Sequence, residues 1–131
     1  MVWLLVLAAA VLAGCGSPPP DLFVVERSGA DRNANLKLLV SDGGSVRCDG
    51  KEHPLDAARL LTARQLERDL EPQAELSIAL PPGPGTVLSY RVRMEGGTLA
   101  FSDRSPGVPR TFQRLAAFTS DVAERVCGIE R

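Results

Sequence analysis

The chain has a single histidine, His53, and the thiol nearest to it in sequence is Cys48, five residues earlier. A thiolate activated by an imidazole needs the two groups within hydrogen-bond reach. Here Gly50 and polar neighbours make Asp49–His53 a loop-like stretch that does little to hold them together. A serine hydrolase would need His53 as base, one of the many serines and an acid, yet Lys51-Glu52-His53-Pro54 reads more simply as the exposed approach to a helix. One His and widely separated Cys residues do not make a zinc cage. Asp42 and Asp49 are conceivable calcium ligands, but each stands beside a glycine, where Asp first of all forms turns. Glu67, Asp69, Glu71 and Glu75 interleave with Arg64 and Arg68, as on a solvated helix face. No Gly-rich loop leads from a strand into a helix, so nothing cradles a phosphate. The expectation is a protein that is not an enzyme and carries no metal and no cofactor.

Two features could serve binding instead. Pro81, Pro82, Gly83, Pro84 and Gly85 form a stiff, apolar loop whose ordering on a partner would cost little entropy, a candidate partner-binding loop. The other is a polar strand face carrying Ser89, Arg91, Arg93, Ala100 and Ser102, open to a partner if no further layer covers it.

The elements that must position these residues follow from periodicity. Leu22–Val25 is a short apolar run, read as a strand, and Ser28–Asn35 is turn-rich. Leu36–Val40 and Val46–Cys48 flank Asp42-Gly43-Gly44 as a hairpin. Pro54 suits the first turn of a helix that continues through Leu70, with Leu60, Ala63, Leu66 and Leu70 on one side and Pro72 as its limit. Ala74–Leu80 reads as a strand. Val87–Met94 alternates clearly, with Leu88, Tyr90, Val92 and Met94 facing one way; Gly96-Gly97 then turns it into Thr98–Ser102, where Leu99 and Phe101 face inward. Pro109 opens a second helix with a stripe of Phe112, Leu115, Ala116, Thr119, Val122, Ala123 and Val126, and Gly128 ends it. The sum is an α+β fold: one antiparallel sheet with two helices on one face. The matching Gly-Gly turns point to a βββα unit repeated twice.

The apolar run Val2–Leu12 is too short to span a bilayer and ends in Leu12-Ala13-Gly14-Cys15, followed by Gly16-Ser17-Pro18-Pro19-Pro20. This grammar resembles a bacterial lipoprotein precursor, although residues 1–14 contain no Lys or Arg where that pattern has a basic start. The resemblance implies a signal peptide over 1–14, cleavage before Cys15, acylation of the Cys15 thiol and a lipidated tether over 15–21. A single domain over 22–131 follows. The membrane is then one partner, held through lipid on Cys15, and the location is the extracytoplasmic face of the cell membrane. With Cys15 acylated, Cys48 and Cys127 are an even pair in an oxidising compartment, and a disulfide between them is the economical reading. It would close a loop worth on the order of 4 kcal/mol. A reactive Cys48 thiol is the alternative.

All 15 basic and 16 acidic side chains follow Cys15, for a net charge of −1. Such a balance does not point to nucleic acid as a partner. Abundant Ala, Gly, Pro and Arg with little Lys reads as a GC-rich genome, and the chain resembles short lipoproteins of GC-rich Gram-positive bacteria. Leu39-Val40-Ser41-Asp42-Gly43, Val46-Arg47-Cys48 and His53-Pro54 are also faintly similar to the opening half of the subtilisin-inhibitor family, but the Cys residues of that family's reactive loop are missing. The expected function is a non-enzymatic binding or scaffolding domain with a protein partner in the cell envelope. A tethered inhibitor of secreted serine proteases, acting through Pro81–Gly85, is the alternative.

Overall fold

A computed structural model describes residues 20–130. The expected signal peptide, Cys15 and most of the tether lie outside the described residues. The elements run β1 (Asp21–Gly29), β2 (Leu36–Ser41), β3 (Ser45–Cys48), β4 (Lys51–Pro54), α1 (Ala57–Glu75), β5 (Leu88–Met94), β6 (Gly97–Ser102) and α2 (Arg110–Arg125). The strands form one six-stranded sheet in the order β4-β3-β2-β1-β5-β6, with every neighbouring pair antiparallel. The fold is α+β, as the periodicity predicts.

Period-two alternation sends one set of side chains to a covered face. Phe23 and Val25 of β1 stand opposite Val40 and Leu38 of β2; Val92 and Tyr90 of β5 stand opposite Leu99 and Phe101 of β6. All eight are buried. Helix α2 lies across this face and is fixed at three points. Phe112 meets Phe101 with ring centroids 5.0 Å apart, Phe118 meets Phe23 edge-on at 6.1 Å, and Cys127, just past the helix, is bonded to Cys48 of β3. The Cys48–Cys127 disulfide therefore ties the far end of α2 to the opposite half of the sheet. Phe118 is a core residue that the expected stripe left out.

Helix α1 begins where the Asp56 carboxylate accepts the Arg59 backbone N–H, a standard N-cap. Its buried side, Ala63, Leu66, Leu70 and Ala74, follows helical spacing. The helix lies against both hairpin turns at one end of the sheet. At its first half Arg64 grips the Asp42 carboxylate of the β2–β3 turn (2.5 Å), and at its last turn Ala74 packs on Gly97. A Cβ at Gly97, where φ is +151°, would meet the Ala74 carbonyl oxygen at 2.2 Å. Two ion pairs join the helices, Arg59 with Asp121 (2.7 Å) and Arg114 with Asp69 (3.0 Å). The Arg59 guanidinium holds the Asp121 carboxyl below the ordinary carboxylate range.

Several expectations are corrected. Asp21, placed at the end of the tether, already pairs with Ser41 in β1, and β1 continues to Gly29. The stretch Lys51–Pro54 is an edge strand, not a loop and a helix start. Asp49 and Gly50 both have positive φ (50° and 88°) and make the tight turn into it, and Pro54 is tolerated because the outer side of β4 is unpaired. Pro72 does not end α1, which continues to Glu75 because burial of Ala74 outweighs the backbone bond lost at an exposed proline. Ala74–Leu80 is not a strand; it contributes one parallel bridge, Ala79 with Ala100. The halves are consequently ββββα and ββα, not βββα twice.

Candidate functional site

The second face of the sheet is left open by the helices. In register across it run Lys37, Glu26, Arg91 and Ala100, and beside them Ser28, Ser89 and Ser102. A further row holds Glu52, Arg47, Leu39, Val24, Arg93 and Thr98. Charge alternates along these rows: Glu26 sits between Lys37 and Arg91, with Arg93 Nη2 at 3.9 Å. The face is wet, ionic and without an exposed aromatic ring.

The Pro81–Gly85 loop meets this face. The chain climbs the outer side of β6, where Ala100 N–H donates to Ile78 O (3.0 Å) and Leu80 N–H to Ala100 O (2.8 Å). Those bonds seal part of the β6 edge and deliver Leu80 and Pro82 beside the serine row. The result is a depression of about 360 Å³, walled by Leu80 and Pro82 and floored by Ser28, Ser89, Arg91, Ala100 and Ser102. Two features that were separate in the sequence are thus one surface. Pro81, Pro82, Pro84 and Gly85 are exposed.

The loop is braced from beneath. Gly83 O accepts from both the Thr86 hydroxyl (2.7 Å) and the Thr86 N–H (3.2 Å). Any Cβ at Gly83 would fall 1.8 Å from the Arg104 carbonyl oxygen, so only glycine fits there. Thr86 Oγ1 lies 3.1 Å from Ser102 Oγ, and Ser102 Oγ lies 3.0 Å from Ser105 Oγ. The Ser105 hydroxyl also accepts the Ser102 N–H (2.9 Å), closing the end of β6. This hydroxyl chain was not read from the sequence; its signals are Ser105 before Pro106-Gly107 and Thr86 after the proline loop. It is structural in character. His53 lies on β4, at the other edge of the sheet and five strand spacings away, roughly 24 Å. The one histidine is therefore far from these serines.

The remaining candidates have definite places. Cys48 is oxidised in the disulfide, so it is not a thiol for His53 to activate. Asp49 accepts the Lys37 N–H through Oδ1 (2.8 Å), and Asp42 is taken by Arg64. Both act as turn residues. Among the described residues no group of three or more His, Cys, Asp or Glu side chains is arranged to hold a metal ion. Arg27 is a buried cation at a core position of β1 and was missed, because alternation alone marks that position as apolar. Its Nε donates to Ala34 O (2.8 Å) and its Nη2 to Asn33 O (3.1 Å), which pins the 31–34 turn.

Among the described residues no helix is long and apolar enough to cross a membrane. Compared with protein-family models, with curated proteins and with solved structures, the chain matches none.

Proposed function

We propose that this chain is a lipoprotein, anchored through acylated Cys15 on the extracytoplasmic face of the cell membrane. Its α+β domain binds an envelope protein through the open sheet face and the Pro81–Gly85 loop. One observation carries the binding half of this reading: Pro82 of the braced proline loop and the polar strand face line a single depression, and among the described residues no helix covers it. A loop already held at Gly83 and Thr86 loses little freedom when a partner seats on it.

The anchor half is supported by the lipobox-like Leu12–Cys15 and by the Cys48–Cys127 disulfide, which suits an oxidising compartment. The two halves fit together in space. Strand β1 begins at Asp21 and rises for nine residues at roughly 3.3 Å each, so Ser28 stands about 23 Å from the point where the tether joins. The depression therefore lies at the end of the sheet far from the tether, which leaves it clear of an anchor at Cys15.

The test is site-specific photocrosslinking in the native organism, with the probe at Ser89 or Pro82 and a control probe at Glu124 on the outer side of α2. One discrete adduct from the first two positions, absent at Glu124 and lost when residues 81–85 are shortened, is the expected result. Equal labelling from all three positions would sink the assignment. The bracing of the loop also favours a second reading, a tethered protease inhibitor. That reading requires near-stoichiometric protection of a substrate from a secreted serine protease, and loss of protection on shortening 81–85.

A further inference from the structure

We propose that the outward stripe of α1, formed by Leu61, Gln65, Arg68, Pro72 and the C-capping Leu76, lies on the lipid surface that holds Cys15. The inference rests on the lipoprotein reading above. Three large hydrophobic side chains are strongly exposed among the described residues, and two of them, Leu61 (63 %) and Leu76 (74 %), fall on this stripe. The third, Val87, precedes β5 at the opposite end of the sheet. Leu61 and Leu76 stand about 22 Å apart on the same helix side, with Gln65, Arg68 and Pro72 between them, as on an amphipathic surface with two apolar contact points.

The tether places this helix near the bilayer. Pro20 O accepts the Asp42 N–H (2.9 Å), and the Asp42 carboxylate is held by Arg64 of α1. The described chain thus begins one residue contact away from the helix. From Cys15 to Pro20 is five residues, which span at most about 17 Å however they are arranged. Helix α1 has 19 residues and is about 28 Å long. An acylated Cys15 therefore keeps the bilayer within about 17 Å of Pro20, which meets the Asp42 turn that Arg64 of α1 holds. The open sheet face is a poorer surface for lipid, since Val24 and Leu39 are already half-buried and the rows through Glu26 and Arg93 carry charge. On the α1 stripe the two leucines flank Arg68, whose guanidinium can reach a headgroup phosphate while the leucines enter the acyl boundary.

The lone tryptophan, Trp3, precedes the cleavage point, so the processed lipoprotein has none. Leu61→Trp, Leu76→Trp and, as control, Val87→Trp each create one reporter at an exposed position. Each protein is extracted from its membrane with its acyl chains and reconstituted into phosphatidylcholine and phosphatidylglycerol vesicles, with and without bromine on the acyl chains. Emission from Leu61→Trp and Leu76→Trp should fall by about half in brominated vesicles, while Val87→Trp should be unchanged. If all three respond alike and the mass of Cys15 shows the acyl groups, the α1 surface is refuted and the anchor stands. If quenching depends on protein density and not on bromine, the stripe faces a second copy and the proposal fails. An unmodified Cys15 together with no vesicle binding overturns both readings.

Discussion

Removing the disulfide separates what it does to the unfolded chain from what it does to the fold. Cys48 and Cys127 are 79 residues apart, and opening that loop releases denatured-state entropy worth on the order of 4 kcal/mol. In the folded domain α2 keeps its other attachments: Phe112 on Phe101, Phe118 on Phe23, and the buried Leu115 and Val122. The variant Cys48→Ala/Cys127→Ala should therefore fold to the same structure with lower stability. For a domain of this length the melting temperature should drop by about 15 °C. Far-UV circular dichroism at low temperature should be unchanged. The urea slope should rise, because the uncrosslinked unfolded chain exposes more surface. A drop below about 5 °C with an unchanged slope would mean that the bridge does not constrain the chain in solution. Loss of helix signal at low temperature would refute the packing argument, since α2 would then depend on the bond and not on its aromatic contacts.

Two further changes test the packing around α1. Gly97→Ala puts a methyl group into the Ala74 carbonyl at a backbone conformation that side chains resist, and should cost about 2 kcal/mol or more in chemical denaturation. Gly50→Ala, with nothing within 4 Å of its Cβ, isolates the backbone term and should cost less. Burial on α1 and, after it, the neighbouring Glu71 carboxylate raise the Glu67 pKa above its ordinary value. A raised folded-state carboxyl favours the fold while protonated, below the unfolded value near 4.3, and the benefit is lost as pH rises through the folded value. Glu67→Gln should accordingly melt higher than the parent at pH 7 and alike below pH 4, in parallel thermal scans; an equal shift at both pH values would contradict it.

How far the sequence could be read depended on whether a residue's local pattern and its tertiary surroundings agreed. Leu88, Tyr90, Val92, Leu99 and Phe101 alternate because one side of the sheet is covered and the other is wet, so strands β5 and β6 and their inward faces were legible. Strand β4 was not. Lys51-Glu52-His53-Pro54 has no apolar alternation, since an edge strand buries little and uses charge and proline to discourage further pairing. The signal that was present, Asp49-Gly50 as a two-residue turn, was outweighed by Pro54 read as a helix start. Pro72 misled in the same way: propensity marks a stop, but Ala74 is fully buried and tertiary packing carries the helix past it. At the candidate site, the proline loop and the polar strand face were each legible. Their meeting was not, because it depends on the parallel bridge at Ala79, which brings Leu80 and Pro82 up beside β6.

The similar Gly-Gly turns have local physical reasons that need no repeated unit. Asp42-Gly43-Gly44 and Glu95-Gly96-Gly97 occupy the same end of one sheet, and both lie against α1, which crosses that end. Each turn has its own reason for glycine: Gly44 has a φ of +87°, which side chains resist, whereas a Cβ at Gly97 would run into the Ala74 carbonyl of α1. Similar sequence at the two turns thus follows from turn geometry at Gly44 and from the close approach of α1 at Gly97. The same crossing divides the molecule into two ends. Pro20, Asp42 and Arg64 gather the start of the described chain and α1 at one end, while Ser28, Ser89, Ser102 and the proline loop lie at the other. An anchor at Cys15 would act at the first end and leave the second free for a partner, so the two proposed surfaces can be tested, and can fail, independently.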